Sequence, residues 1–221
     1  MEVNMGSDKT KDSFLKGALI LAAAGVVVKV MGAFFRIPLG NLIGAEGMGY
    51  YQSVYPVYTL FLTLATAGFP TALAKLVSEK IALGDDNGAH KVFKVSFAVL
   101  SITGFIAFLI FFFGARFIVN DILHSPNAYY AMLAIAPALL FVPVMSSYRG
   151  YFQGRQEMTH IAISQIAEQF FRVILGIVLA YLFMRALGPA AGAAGAITGA
   201  TIGSIASIIY LICAYVKKIN L

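Results

Sequence analysis

Four stretches of this chain, Gly47–Ala74, Val95–Ala115, Ile122–Tyr148 and Ala186–Val216, each run for more than twenty residues without one Asp, Glu, Lys or Arg. A helix crosses the hydrocarbon core of a bilayer with about 20 predominantly apolar residues, so each stretch is long enough to span. Two further stretches are as long and apolar but carry charges: residues 14–43 hold Lys29 and Arg36 beyond Lys16 at their start, and residues 159–184 hold Glu168 and Arg172. None shows the period-2 alternation of a transmembrane barrel strand. The chain is therefore expected to be an all-α integral membrane protein, a six-transmembrane-helix bundle. Its spans fall at about 14–43, 50–74, 95–115, 128–148, 159–184 and 189–216, between a tail of residues 1–13 and an end of residues 217–221. Composition agrees: 60% of residues are hydrophobic and 12% charged, against about 25% charged in a soluble domain. The mean hydropathy of +0.84 excludes a disordered chain as well.

Orientation follows from the basic residues. Eleven of the sixteen fall in the N-terminal tail, the second and fourth loops with their flanks, and the C-terminal end: Lys9, Lys11, Lys16, Lys75, Lys80, Lys91, Lys94, Arg149, Arg155, Lys217 and Lys218. The first, third and fifth loops hold only Arg116 and Arg185. By the positive-inside rule both termini are cytoplasmic, N-in/C-in. This distribution accounts for the net charge of +6 without nucleic acid as a partner. The apolar run after Lys16 continues past Lys29 and is read as an uncleaved first helix rather than a secretory signal.

Three basic residues remain, deep inside the spans. A Lys, Arg or Asp near mid-bilayer costs about 2.5–3.5 kcal/mol on insertion scales, so such residues are functional candidates. Lys29 and Arg36 lie seven apart, on one helix face that Gly25, Gly32 and Gly40 leave roomy. Gln165, Glu168, Gln169 and Arg172 stand at i, i+3, i+4 and i+7, a polar stripe on an otherwise apolar helix. At 1.5 Å per residue, Lys29 lies about 22 Å and Arg172 about 20 Å from the cytoplasmic entry, with Glu168 at about 14 Å and Arg36 at about 33 Å. Three cations and one anion would line a cavity suited to an anionic ligand. The competing reading is that Glu168 and Arg172 neutralise each other at i,i+4 and that Arg36 snorkels outward.

Gly188, Gly192, Gly195, Gly199 and Gly203 form a small-residue face with GxxxG steps, read as helix packing. Pro38, Pro56, Pro70, Pro137 and Pro143 are expected to kink or break spans. Tyr50, Tyr51, Tyr129, Tyr130, Tyr148, Tyr151 and Tyr215 are read as an interfacial aromatic belt. Gly84-Asp85-Asp86-Asn87-Gly88 reads as a solvated turn between helix ends. Cys213 is the single cysteine, and the three histidines lie far apart, so neither a disulfide, a metal site nor a cofactor is expected.

Lys29-Val-Met-Gly-Ala-Phe-Phe-Arg36-Ile-Pro-Leu, followed by Ile43-Gly-Ala-Glu-Gly-Met-Gly-Tyr-Tyr-Gln52, resembles the opening of polysaccharide-biosynthesis proteins of the stage V sporulation protein B type. Tyr148-Arg-Gly-Tyr-Phe-Gln-Gly-Arg-Gln-Glu-Met158, running into Ser164-Gln-Ile-Ala-Glu-Gln-Phe-Phe-Arg172, resembles the same group. The likeness covers essentially the whole chain in order. These proteins share a superfamily with lipid II flippases, O-antigen flippases and multidrug and toxic compound extrusion (MATE) transporters. The resemblance implies a multi-pass protein of the bacterial cell (inner) membrane that flips undecaprenyl-pyrophosphate-linked saccharides by alternating access. It carries pyrophosphate binding to Lys29 and Arg36, and Glu168 and Arg172 match a stripe of the fifth helix. Such proteins resemble two facing six-helix lobes, and this chain resembles the first, so a missing C-terminal lobe or a second copy is an expected partner beside the lipid bilayer.

Three other readings compete. A cation-coupled drug antiporter of the same fold is expected to hold an acid in this lobe's cavity, yet no Asp lies between Asp12 and Asp85. A membrane enzyme needs clustered acids on a loop, and Asp85-Asp86 reads as a turn, so no enzyme is expected. A truncated lobe serving as a non-transporting scaffold is the third.

Overall fold

The computed structural model describes the backbone of residues 4–219 and the side chains of residues 15–218. The outermost residues of both predicted tails, 1–3 and 220–221, lie outside the described residues. Every regular element is helical: α1 (Asn4–Thr66), α2 (Phe69–Ala82), α3 (Asp86–Phe117), α4 (Tyr129–Ile135), α5 (Ala138–Gly154), α6 (Met158–Leu187) and α7 (Pro189–Ile219). No strand occurs among the described residues. Hydrocarbon offers no hydrogen-bond partners, so a spanning backbone must satisfy itself within the helix. Five segments are long and apolar enough to cross a membrane, the first being Leu15–Ala82.

That first segment is not straight. Gly44 has φ 68° and ψ −177°, outside helical values, while the residues on both sides stay helical. A positive φ of this kind is open to glycine and strained for a residue with a Cβ. Lys29 and Thr63 line one cavity, although thirty-four residues of straight helix would separate them by about 51 Å. The two halves of α1 therefore fold back on each other at Gly44, and the connection expected at residues 44–49 shrinks to one residue. A second break follows at Gly68, φ 78°, where α2 begins with Pro70 in its first turn.

The later boundaries also differ from expectation. Asp85 caps α3 by accepting from the Gly88 amide at 2.7 Å, so this helix starts nine residues before Val95. The expected span 128–148 is broken at Ala136-Pro137 into α4 and α5, and α5 continues to Gly154. Proline lacks the N–H that would continue the ladder. Arg149, placed by sequence in a loop, is thereby inside a helix.

Close approaches at glycines give the helix directions. Gly32 approaches Gln169 and Gly176 approaches Phe35, so the first half of α1 runs parallel to α6. Gly195, Gly199 and Gly203 of α7 meet Leu179, Arg172 and Glu168 in turn, so α7 is antiparallel to α6. A Cβ on Gly17 would come within 2.9 Å of Met158 Cγ, and Lys218 Nζ bonds Glu157 Oε1 at 2.8 Å. The described N- and C-terminal ends therefore share one end of the bundle.

At that end His90, Phe93, Tyr148, Tyr151 and Tyr215 pack ring on ring. Tyr148, Tyr151 and Tyr215 are buried, which corrects their reading as an interfacial belt. Because α5 continues past Tyr148, these rings face neighbouring helices rather than headgroups. Outward faces are apolar instead, with Phe113 at 78% and Leu64 at 69% exposure.

Helices in lipid gain little from apolar contact alone, so close association rests on small residues. A Cβ on Gly195 would fall 2.5 Å from the Leu179 carbonyl oxygen, and one on Gly199 2.6 Å from that of Arg172. Gly192 sits against Ile43 and Met184. Gly188 departs from the expected packing face: its φ is 88° and nothing lies within 4 Å of an added Cβ. It makes the one-residue turn from α6 to α7, which needs the left-handed backbone rather than the lack of bulk.

Gly199→Leu is expected to push α7 off α6 and destabilise the bundle by about 1–3 kcal/mol. Thermal unfolding in detergent, followed by circular dichroism, should show a lower midpoint. Gly49→Ala, with nothing within 4 Å of the added Cβ, should leave the midpoint unchanged or raise it.

Candidate functional site

Between the two halves of α1 and the middle of α6 lies a cavity of about 970 Å³, at the upper end of the range for ligand pockets. The first half of α1 contributes Lys29, Gly32, Ala33, Phe35 and Arg36; α6 contributes Gln169 and Arg172. Four of the six polar residues singled out by sequence therefore line one space. The missing side chain of Gly32 is what lets α6 approach here, since a Cβ would stand 3.3 Å from Gln169 Nε2. Arg172 lies along α6 between the levels of Gly32 and Phe35, and so between Lys29 and Arg36.

The lining holds three cations and no carboxylate. Lys29 and Arg36 are exposed and border the cavity, although they sit within a segment long and apolar enough to span a membrane. Gln165, the remaining amide of the stripe, is half-buried and is not among the lining residues. Glu168 is also absent from the lining. Its Oε1 accepts from Arg172 Nη2 at 3.1 Å and its Oε2 from Arg149 Nη2 at 2.9 Å. The i,i+4 pair expected on α6 is thus present, but the carboxylate is shared with an arginine that sequence reasoning had placed in a loop.

The opposite wall was not anticipated. Tyr51, Gln52, Tyr55, Thr59 and Thr63 face the cations from the second half of α1. Tyr51 and Tyr55 stack with ring centres 5.9 Å apart and planes 18° from parallel. Thr59 donates to the Tyr55 carbonyl at 2.7 Å and Thr63 to the Thr59 carbonyl at 2.8 Å, so both threonines turn acceptor lone pairs towards the space. A signal existed: positions 51, 55, 59 and 63 repeat every four residues, one polar face on a span read only as charge-free. Tyr51 accordingly leaves the aromatic belt, whereas Tyr50 at the far end donates to Glu46 at 2.6 Å and accepts from Asn127 at 3.1 Å.

The arrangement can hold an extended anion against the cations, with hydroxyl and aromatic groups facing it. Among the described residues, no three His, Cys, Asp or Glu side chains converge as metal ligands. His90 stands 3.3 Å and 3.2 Å from the hydroxyls of Tyr151 and Tyr215. His160 lies 3.0 Å from the Tyr210 hydroxyl.

A family model described as "Polysaccharide biosynthesis protein" matches residues 14–220. The chain is similar to stage V sporulation protein B of Bacillus subtilis (strain 168), 36% identical over 209 residues, which are 94% of this chain and 40% of that protein. It is similar to the lipid II flippase MurJ of the same organism, 35% identical over 179 residues, 77% of this chain and 33% of that protein. An uncharacterized membrane protein, YabM, is 36% identical over 200 residues, 89% of this chain and 36% of that protein. The chain spans two fifths or less of the length of these relatives. No solved structure matches it. With its membrane-length helices and these relatives, the chain is a multi-pass protein of the bacterial cell membrane.

The cavity wall is testable without a ligand. In a Cys213→Ser background, Gln52→Cys and Thr59→Cys are expected to react quickly with a charged, water-soluble maleimide. Leu39→Cys and Val54→Cys, at fully buried positions, should stay unlabelled over the same time.

Proposed function

The chain belongs to the polysaccharide biosynthesis protein family, and from that premise we propose that it is a lobe of a flippase for lipid-linked saccharides. The substrate is an undecaprenyl-pyrophosphate-linked saccharide, such as a peptidoglycan or polysaccharide precursor. Lys29, Arg36 and Arg172 hold its pyrophosphate. The observation that carries this reading is the charge of the cavity: three cations line it, and the one nearby acid, Glu168, is turned towards two arginines. A dianionic headgroup with hydroxylated sugars fits such a space, and charges inside a membrane mark a substrate pathway.

The topology under this reading has six spans, N-in/C-in. The turn at Gly44 divides Leu15–Ala82 into two spans, and the shared end of the described N- and C-terminal residues supports an even count. The end shared by Gly17, Glu157 and Lys218 is the cytoplasmic one, rich in lysine and arginine as the positive-inside rule requires. Alternating access needs two halves rocking about a central site. The cavity draws its walls from α1 and α6 alone and leaves Lys29 and Arg36 exposed, so a facing lobe, either a C-terminal one or a second copy, completes it. No enzymatic step is assigned. A drug antiporter of the same fold would place an ionisable acid among the lining residues, where this cavity has a cation.

In a strain depleted of its lipid II flippase, the chain supplied with its facing lobe is expected to restore growth. Lys29→Ala or Arg36→Ala should abolish that rescue while both variants still insert in the membrane; wild-type growth of both overturns the reading. A reporter fused after Lys218 should read as cytoplasmic, and a signal from the outer side would overturn the topology.

A further inference from the structure

Arg149 lies outside the cavity lining, yet three helices are arranged around its guanidinium. From α5 its Nη2 donates to Glu168 Oε2 at 2.9 Å and to Ser207 Oγ at 3.1 Å, and its Nε donates to Ser164 Oγ at 3.0 Å. Ser164 and Ser207 are completely buried. The approach of α7 is set at Gly203, where a Cβ would collide with the Glu168 carbonyl; Ser207 follows one helical turn later. Charged groups are costly to bury, and a network with this many partners is retained in a core only when its hydrogen bonds are met.

Arg172 is treated differently. Its Nη2 bonds Glu168 at 3.1 Å, but its Nε is buried with no hydrogen-bond partner, and the side chain lines the cavity. A Glu168–Arg172 pair by itself is neutral, and a neutral pair has little attraction for an anion. With Arg149 bonded to the second oxygen of the carboxylate, the three groups carry one net positive charge. Of the three, Arg172 is the member that lines the cavity.

We infer that Arg149 is a positioning residue: by occupying Glu168 from behind, it leaves Arg172 a cation available to a phosphate-class anion in the cavity. This rests on the reading of the cavity as an anion site. A purely structural ion pair makes a different prediction, because removing Glu168 as well as Arg149 would then only add damage. Under the charge account, the double variant regains the single net charge of the wild type.

The test is isothermal titration of inorganic pyrophosphate into the purified full chain in nanodiscs. Circular dichroism and a monodisperse elution profile report on folding. Arg149→Met is expected to weaken binding on the order of tenfold, since it removes one uncompensated charge from a poorly screened site. Glu168→Gln should bind at least as tightly as wild type. Arg149→Met/Glu168→Gln should return to within about threefold of wild type. Unchanged binding by a folded Arg149→Met, or a folded double variant no better than it, overturns the inference while leaving the anion site standing. Should Arg149→Met not fold, Glu168→Gln decides: weaker pyrophosphate binding than wild type overturns the inference. Absence of binding by the wild type overturns the anion reading and the inference with it.

Discussion

The bilayer as a solvent governs this structure. Hydrocarbon cannot accept or donate a hydrogen bond, so each spanning backbone is helical, and the places where the helix stops are where another constraint wins. Gly44, Gly68 and Gly188 all take positive φ, and each ends or sharply turns a helix. The same solvent removes most of the driving force for one apolar helix to pack on another. Close contact between α6 and α7 therefore depends on Gly195, Gly199 and Gly203, where backbone meets backbone.

That close contact is also what organises the charges. Gly199 and Gly203 press α7 against the turn of α6 that carries Glu168 and Arg172, and Ser207 of α7 then reaches Arg149. Packing and electrostatics here are one arrangement seen from two sides. The carboxylate is drawn towards the interior of the bundle, and the cations Lys29, Arg36 and Arg172 are left along the cavity. Under the proposed reading, the preference of this space for an anion follows from where one acid points, more than from how many bases are present.

Much of this was legible beforehand, for identifiable reasons. Span positions depend on runs of apolar residues, which is a local property, and the positive ends of the bundle are a matter of counting. Lys29, Arg36 and Arg172 stood out because a charge in an apolar run is costly at that depth. The Glu168–Arg172 pair was legible because residues four apart on a helix must neighbour one another. Arg149 was missed through a few residues of error at a helix end, since a polar residue beside the predicted terminus Tyr148 looks like a loop. Tyr148, Tyr151 and Tyr215 were misread for the same reason: their place at helix ends suggested headgroups, and only packing turned them inward onto Phe93 and His90. The wall formed by Tyr51, Tyr55, Thr59 and Thr63 was hidden by its neutrality, because hydroxyls in an apolar run carry no penalty large enough to mark them.

The sequence by itself determined that this chain is a helical membrane protein with basic residues concentrated beside alternate helix ends, and that a few charges inside its spans need a reason to be there. Those conclusions rest on the length of apolar runs and the cost of burying charge, and both can be read one segment at a time. Tertiary structure decided which of those charges meet. The fold-back at Gly44 brings Tyr51 opposite Lys29, and the approach of α5 and α7 places Arg149 on Glu168. These are contacts between residues nineteen or more apart, and no local rule of hydropathy or helical periodicity reaches that far.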